Sequence, residues 1–445
     1  MKLFKRVAAA VLALILSAAP QFTASAVYLC RDVTGANTPI SASQAELAWS
    51  LKLGDSYRTA PSVPTVVGRT LIFMSGKTLY KVNTSDGKVI AKADMVEAPS
   101  YGYTPPTYAD GVIYCPLGRG TVQAFNYRTM KSLWVFRDSL GGQALTPITY
   151  DGGYIYTGFW NDEDEYADYV CVSVRDENKR VTDEAKSAEW TYRSKGGFYW
   201  AGSAVVGDYL VFGTDDGTVY DNKPSKLLSV NKKTGAVVDS LALTGDQRSS
   251  VTYSGGRLYF TTKAGRLYSV ALGEKGGFNK SQVKMLDLGG ASTCTPVIYG
   301  NRLYIGVQGK EFSSGYIKVI SAGDLKPIYT ANVKGYPQNR PLVCDAYLKN
   351  TGKLYVYTTY NAGPGGISVL TDSEGQTAAQ VGELFTPPSG MTGYCISPIT
   401  ADADGTLFYK NDSGNLFAIK NSEARVSFFV RIFRAIADFF KSIFN

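Results

Sequence analysis

Two groups of side chains in this sequence have types and spacing that could do chemistry. The denser one is acidic: Asn161-Asp162-Glu163-Asp164-Glu165-Tyr166-Ala167-Asp168. Paired carboxylates can cleave a glycosidic bond when burial keeps one protonated and the other stays ionised. Asp162, Glu163, Asp164 and Glu165 follow one another directly, so in an open loop none is buried enough to change its acidity. The reading is a solvated loop, with capture of a cation or a basic partner as the functional alternative. Asp402-Ala403-Asp404-Gly405 resembles a calcium pattern but reads as turn chemistry. The second group is Tyr101, Tyr103, Gln143, Phe198, Tyr199, Trp200, Arg248, Gln338, Arg340 and Tyr394. Planar rings with Arg and Gln donors could stack on a sugar or grip an extended peptide, and ordinary strand packing is the alternative.

What is missing narrows the chemistry further. The 445 residues include no histidine, which removes Ser-His-Asp and Cys-His nucleophile pairs and every His-ligated metal site. The six cysteines, Cys30, Cys115, Cys171, Cys294, Cys344 and Cys395, are neither adjacent nor in C-x-x-C spacing. An oxidising compartment would permit disulfides among them, and burial as small apolar side chains is equally open. No metal and no cofactor is expected.

The elements that must position these residues repeat along the chain. Pro106-Thr107-Tyr108-Ala109-Asp110-Gly111-Val112-Ile113-Tyr114 reads as a strand, a tight turn and a second strand carrying an aromatic. The same shape recurs from Pro64, Pro147, Ala204, Val251, Pro296, Pro341 and Pro398, making eight units. Their second-strand aromatics, at 73, 114, 156, 212, 259, 304, 355 and 408, are 41 to 56 residues apart, which fits four short strands per unit. A third strand ends in a turn with Asn four places ahead of Gly, as in Asn83 to Gly87 and Asn231 to Gly235; Met130 replaces Gly after Asn126 and leaves that turn's type open. Trp134 and Trp190 open fourth strands. The last unit has none, while a spare strand, Glu46 to Leu53 with Trp49, precedes the first; pairing the two closes a ring with no free sheet edge. The fold expected is all-β: an eight-bladed β-propeller of four-stranded antiparallel blades, with a C-terminal amphipathic helix. The ring-and-donor group stands just ahead of the inner strands, hence near one mouth of the central channel.

The strand, Asp-Gly turn, aromatic, Thr-Gly turn and Trp of these units resemble the PQQ-like, or quinoprotein-like, β-propeller repeats over residues 46 to 420. That family includes dehydrogenases holding pyrroloquinoline quinone with calcium, and cofactor-free scaffold lipoproteins of outer-membrane assembly. The resemblance implies adjacent cysteines, a Trp floor, Glu-Asn-Asp calcium ligands and an Asp base in many of the enzymes. Those cysteines are absent here, and no such ligand set can be assigned.

The ends of the chain carry separate signals. Lys2, Lys5 and Arg6, the apolar run Val7 to Ala18 and Ala24-Ser25-Ala26 read as a signal peptide, residues 1–26, cut before Val27. Val27, Tyr28 and Leu29 lack the small side chains of a lipoprotein site ahead of Cys30. After the propeller, residues 27–420, comes a tail, residues 421–445, in which Val426, Phe429, Phe433, Ile436, Phe440 and Ile443 step by threes and fours. Its Arg431, Arg434 and Lys441 suit an anionic membrane surface or a partner groove, residues 424–445 being the contact, while docking back onto the propeller is the alternative. The two ends account for six of the formal +8 charges, so the body carries about +2 and nucleic acid is a poor partner. The expectation is a secreted, monomeric, non-catalytic propeller at the cell envelope that binds a protein or glycan. Carbohydrate binding or processing comes second and quinone-dependent dehydrogenation third.

Overall fold

The computed structural model describes residues 32–215, 224–311 and 313–423. The leader, Cys30 and the tail with Phe429, Phe433, Ile436, Phe440 and Ile443 lie outside the described residues. Each hairpin repeat builds one sheet, and there are eight. Blade one runs Thr65–Val67, Thr70–Ser75, Thr78–Asn83 and Val89–Asp94, each strand antiparallel to the next. The first strand is short and the last half exposed, as inner and outer positions require. Blade eight takes three strands from the end of the chain and its fourth from the start: Ala45–Lys52 pairs antiparallel with Asn415–Asn421, setting Trp49 against Ala418 and Leu51 against Leu416. The ring is therefore laced shut as the spare Trp49 strand implied.

Two blades gain a fifth, parallel strand. Val33–Thr34 lies along the inner edge of blade seven, and Glu184–Lys186, from a long excursion in blade three, covers the outer edge of blade two. The additional length of the third unit thus lies mainly in this excursion, and the acidic run is only a short connection before the strand Tyr166–Ser173.

Alternation along the strands distributes the core. In blade one, Ile72 and Met74 join a buried cluster with Ile113 and Cys115 of blade two, while Leu71 and Phe73 join Phe408 and Leu416 of blade eight. Eight such clusters fill the eight junctions, so every blade is buried on both faces by its neighbours. Sheet register corrects the aromatic alignment in three units; in blade seven Tyr357, not Tyr355, pairs with Leu342, two places on and on the same face. Tyr114 pairs with Thr107 and faces blade three, whereas its equivalents in blades one and four are Ile72 and Val211. Phe73 and Phe212 sit one residue out of step and turn to the preceding blade, since a one-residue shift reverses the face.

Tryptophans fasten the outer strands to the next blade. Trp49 Nε1 donates to the Thr84 carbonyl at 2.8 Å and Trp190 Nε1 to that of Lys232 at 2.9 Å. Gly87 and Gly235 lie beneath these rings; a Cβ on either would stand 2.7–2.8 Å from ring carbons. Met130 keeps the same turn, with its amide bonded to Asn126 O and φ at 56°, so the exception changes the residue and not the turn. Nearer the axis, threonine hydroxyls donate across junctions, as from Thr65 to Pro106 O at 2.6 Å and from Thr107 to Ile148 O at 2.9 Å. The five described cysteines are all buried and unpaired.

Candidate binding site at the channel mouth

The segments leading into the inner strands form a ring around the axis, and they enclose a slot of about 40 Å³. Tyr103, Trp200, Arg248, Thr295, Gln338 and Ile396, from six different blades, all line it. Of the residues singled out in the sequence, Tyr103, Trp200, Arg248 and Gln338 are thus brought together. A chain of rings leads outward from the slot. Trp200 meets Tyr103 edge-on at 6.2 Å; Tyr103 is parallel to Tyr101 at 5.7 Å, and Tyr101 to Tyr57 at 6.3 Å. On its other side Trp200 contacts Tyr199 at 4.8 Å, and Tyr199 contacts Trp160 at 5.1 Å. Tyr57, 41% exposed, forms the outer end of this ledge. Tyr57 and Trp160 had no sequence signal of their own, because each stands in a connection outside the repeated lead-in.

Trp200 has φ of 59°, a left-handed backbone that costs a bulky residue strain and holds the indole beside the slot. Gln143 is set in the same region by backbone bridging to Trp160. Three of the expected mouth residues have other surroundings. Phe198 is fully buried among Tyr169, Tyr192 and Phe212, packing blade three against blade four. Arg340 is buried and forms an ion pair with Asp32 at 2.9 Å, tying the first described residue to blade seven. Tyr394 is 59% exposed at the rim of blade eight.

Arg248 organises the acidic residues. Its Nη2 donates to both Glu163 carboxylate oxygens at 2.8 and 3.1 Å, its Nε reaches Asp215 at 3.0 Å, and Asp246 lies 3.7 Å away. The guanidinium also stands 4.5 Å from the centre of the Tyr199 ring. Burial works to lower its pKa, but Asp215, Glu163 and Asp246 outweigh that and hold it fully charged. The acidic run is therefore not uniformly solvated. Glu163 is drawn into this hub and Asp168 is buried under an Arg193 fork at 2.8 and 2.9 Å, while Asp162, Asp164 and Glu165 stay near solvent. Glu165 and Tyr166 border a larger open trough of about 570 Å³ with Leu140, Asn161 and Arg193. The Asp402 carboxylate accepts from the amides of Asp404 and Thr406, which is the work of a turn.

A buried lysine missed in the sequence packs behind the mouth residue Tyr103. Lys410 ends the second strand of blade eight, with its side chain 1% exposed and its Nζ 4.6 Å over the Tyr103 ring. Asp412 Oδ1 lies 3.6 Å from it. Burial lowers the lysine's pKa and raises that of Asp412, each opposed by the charge of the other. The signal was present: by register, the equivalent positions hold Met74, Gly158, Thr261 and other uncharged residues.

Comparison with known proteins places the fold. Residues 33–163 match the family model described as outer membrane protein assembly factor BamB. No curated protein sequence matches the chain. Among solved structures, BamB from Moraxella catarrhalis aligns with a TM-score of 0.56 at 12% identity, covering 84% of this chain and 99% of its own. Quinohemoprotein alcohol dehydrogenase ADHIIG from Pseudomonas putida HK5 aligns at 0.60 and 13% identity, covering 87% and 78%. The computationally designed Ika8 protein aligns at 0.54 and 11%, covering 82% and 98%. At these identities the likeness is one of fold, shared by an assembly factor, redox enzymes and a designed protein.

Proposed function

We propose that this chain is a non-catalytic propeller scaffold of the cell envelope that captures a partner with the aromatic side of its channel mouth. The observation that carries this is the continuous chain of rings from Tyr57 through Tyr101, Tyr103, Trp200 and Tyr199 to Trp160, opening onto a slot of about 40 Å³. Small-molecule sites usually enclose roughly 300–1,000 Å³, so this mouth offers contact area and no reaction chamber. Aromatic rings supply such area at low entropic cost. The export leader and the basic, Phe-rich period of residues 424–445 support an envelope location, with the tail as tether.

A quinone with calcium does not fit the residues present. The slot of about 40 Å³ is far smaller than a usual small-molecule site, and among the described residues no three Asp, Glu, His or Cys side chains converge as a metal site. Glu163, Asp215 and Asp246 are engaged by Arg248, which lines the slot.

The test is cross-linking capture from native cell envelopes with the exported chain, comparing the natural mouth with Tyr57→Ala/Tyr101→Ala and with Trp200→Gly. Glycine suits the left-handed backbone at 200, so folding should be kept. Loss of the captured species in both variants is expected. Capture unchanged in both would refute the mouth as the binding surface.

A further inference from the structure

The trough of about 570 Å³ beside the mouth has the dimensions usual for a small-molecule site. Leu140, in the connection from blade two to blade three, lines it together with Asn161, Glu165, Tyr166 and Arg193 of blade three. Two apolar side chains stand open here: Tyr166 is 55% exposed and Leu140 37%. The polar groups around them are fixed in advance. Asn161 Nδ2 donates to the Tyr166 carbonyl at 2.8 Å and to that of Leu140 at 3.4 Å, clamping the two sides together. Gly142, with φ of 101°, leaves room for that amide, since a Cβ there would stand 2.7 Å from Asn161 Oδ1. The Asp138 carboxylate holds the Leu140 amide at 3.0 Å. Asp168, buried beneath, takes Arg193 Nε and Nη2, which sets the plane of a guanidinium whose side chain remains half exposed. A ligand therefore orders little of the protein when it binds.

The surrounding charges select the ligand. Glu163 is engaged by Arg248, Asp164 by Lys195 at 3.2 Å and Asp168 by Arg193, so most of the acidic run is already neutralised by cations of this chain. Of the groups lining the trough, Arg193 only donates and Glu165 only accepts. An anion would be drawn to Arg193 and opposed by Glu165, and a cation the reverse. A sugar diol accepts from one and donates to the other, and the apolar face of a pyranose covers an open ring. We propose that this trough is a binding site for a neutral saccharide: a pyranose lies on the Tyr166 ring beside Leu140 while its hydroxyls bridge Glu165 and Arg193. Asn161 follows Trp160, at which the ring chain of the mouth ends, so the trough adjoins the mouth. It shares no lining residue with the slot, and saccharide binding there stands or falls apart from the scaffold reading.

The experiment titrates the full chain with cellohexaose, maltohexaose and chitohexaose by isothermal titration calorimetry. At least one is expected to bind saturably. Tyr166→Ala and Glu165→Ala, both at exposed positions, should each weaken that binding by about tenfold with the melting temperature unchanged, as for loss of a stacking ring or of a hydrogen bond to a charged group. Tyr166→Phe keeps the ring and should bind as the natural chain does. Absence of binding by all three sugars at millimolar concentration would overturn the assignment, as would binding indifferent to Tyr166→Ala and Glu165→Ala. Tighter, Tyr166-dependent binding of hexalysine or of an oligogalacturonate would overturn its neutral character. Sugar binding lost in Trp200→Gly but kept in Tyr166→Ala would place the saccharide at the mouth and overturn the trough, whereas envelope capture by the same two variants bears on the scaffold reading alone.

Discussion

The seam between blades eight and one tests how this ring is held shut. Trp49 covers Gly87 there, whereas at the junction of blades one and two the equivalent outer-strand position is Ala91 and the turn beneath it carries Met130. Large over small has become small over large. Trp49→Ala removes a half-buried indole and its 2.8 Å bond to Thr84 O; fully buried Trp truncations cost 3–5 kcal/mol, so about 3 kcal/mol is expected here. Gly87→Met alone should cost about 2–3 kcal/mol, part from the left-handed backbone, where φ is 68°, and part from a Cβ standing 2.8 Å from the indole. With Trp49→Ala beside it the clash disappears and the introduced methionine side chain can fill the vacated space, recovering about 1.5–3 kcal/mol of apolar burial. The double variant should therefore lose only about 2–3 kcal/mol, against about 5–6 kcal/mol if the two effects were additive. Urea unfolding of the four proteins measures this cycle. Additivity to within about 0.5 kcal/mol would show that ring and turn do not share one space, and the volume-exchange reasoning would fail.

Three further outcomes follow from particular contacts. Arg248→Met should destabilise the protein by about 3–5 kcal/mol, because Glu163, Asp215 and Asp246 are left without their guanidinium, and Arg248→Lys should not restore the Glu163 fork; thermal unfolding checks both, and a loss below about 1 kcal/mol would remove the hub from the account. Asp138 is raised to about 6 by burial and by the charge of Asp168, with Arg193 opposing. The folded state thus keeps a proton that the unfolded chain releases above its ordinary value of 3.8, so stability is full below that pH and falls as the pH rises toward about 6; Asp138→Asn should flatten the profile over this window, measured by denaturant midpoints, and an unchanged slope would count against it. Deleting residues 424–445 should abolish binding to anionic vesicles in a flotation assay without changing the urea midpoint, and equal flotation of the truncated chain would rule out the tether.

The blade repeat and its closure were legible because they depend on local chemistry: paired strands, Gly and Asn where the backbone turns left-handed, and a Trp49 strand with no other partner. Register was less legible, since strands buried on both faces lose their period of two; nothing local tells Phe73 from Ile72 as the residue that faces blade two. The mouth was half legible. Position ahead of an inner strand brought Tyr103, Trp200, Arg248 and Gln338 to the slot, but it could not separate them from Phe198, whose neighbours Tyr169 and Phe212 decide its burial from other strands. The acidic run failed for the same reason: Glu163 meets Arg248 across 85 residues and Asp168 meets Arg193 across 25, distances over which composition carries no pairing information.

Lys410 marks the opposite case, one where a local rule is broken. A lysine closing the apolar strand Leu407–Lys410 disagrees with its own surroundings, and sequences that specify a fold consistently seldom keep such a disagreement unless a site requires it. Lys410→Met leaves the Asp412 carboxylate without its counter-charge and should destabilise the protein, whereas Lys410→Met/Asp412→Leu removes both charges and should be neutral or stabilising. A urea midpoint of the double variant at or above that of the natural protein would show that the pair is not kept for stability, and a midpoint well below it would show that it is.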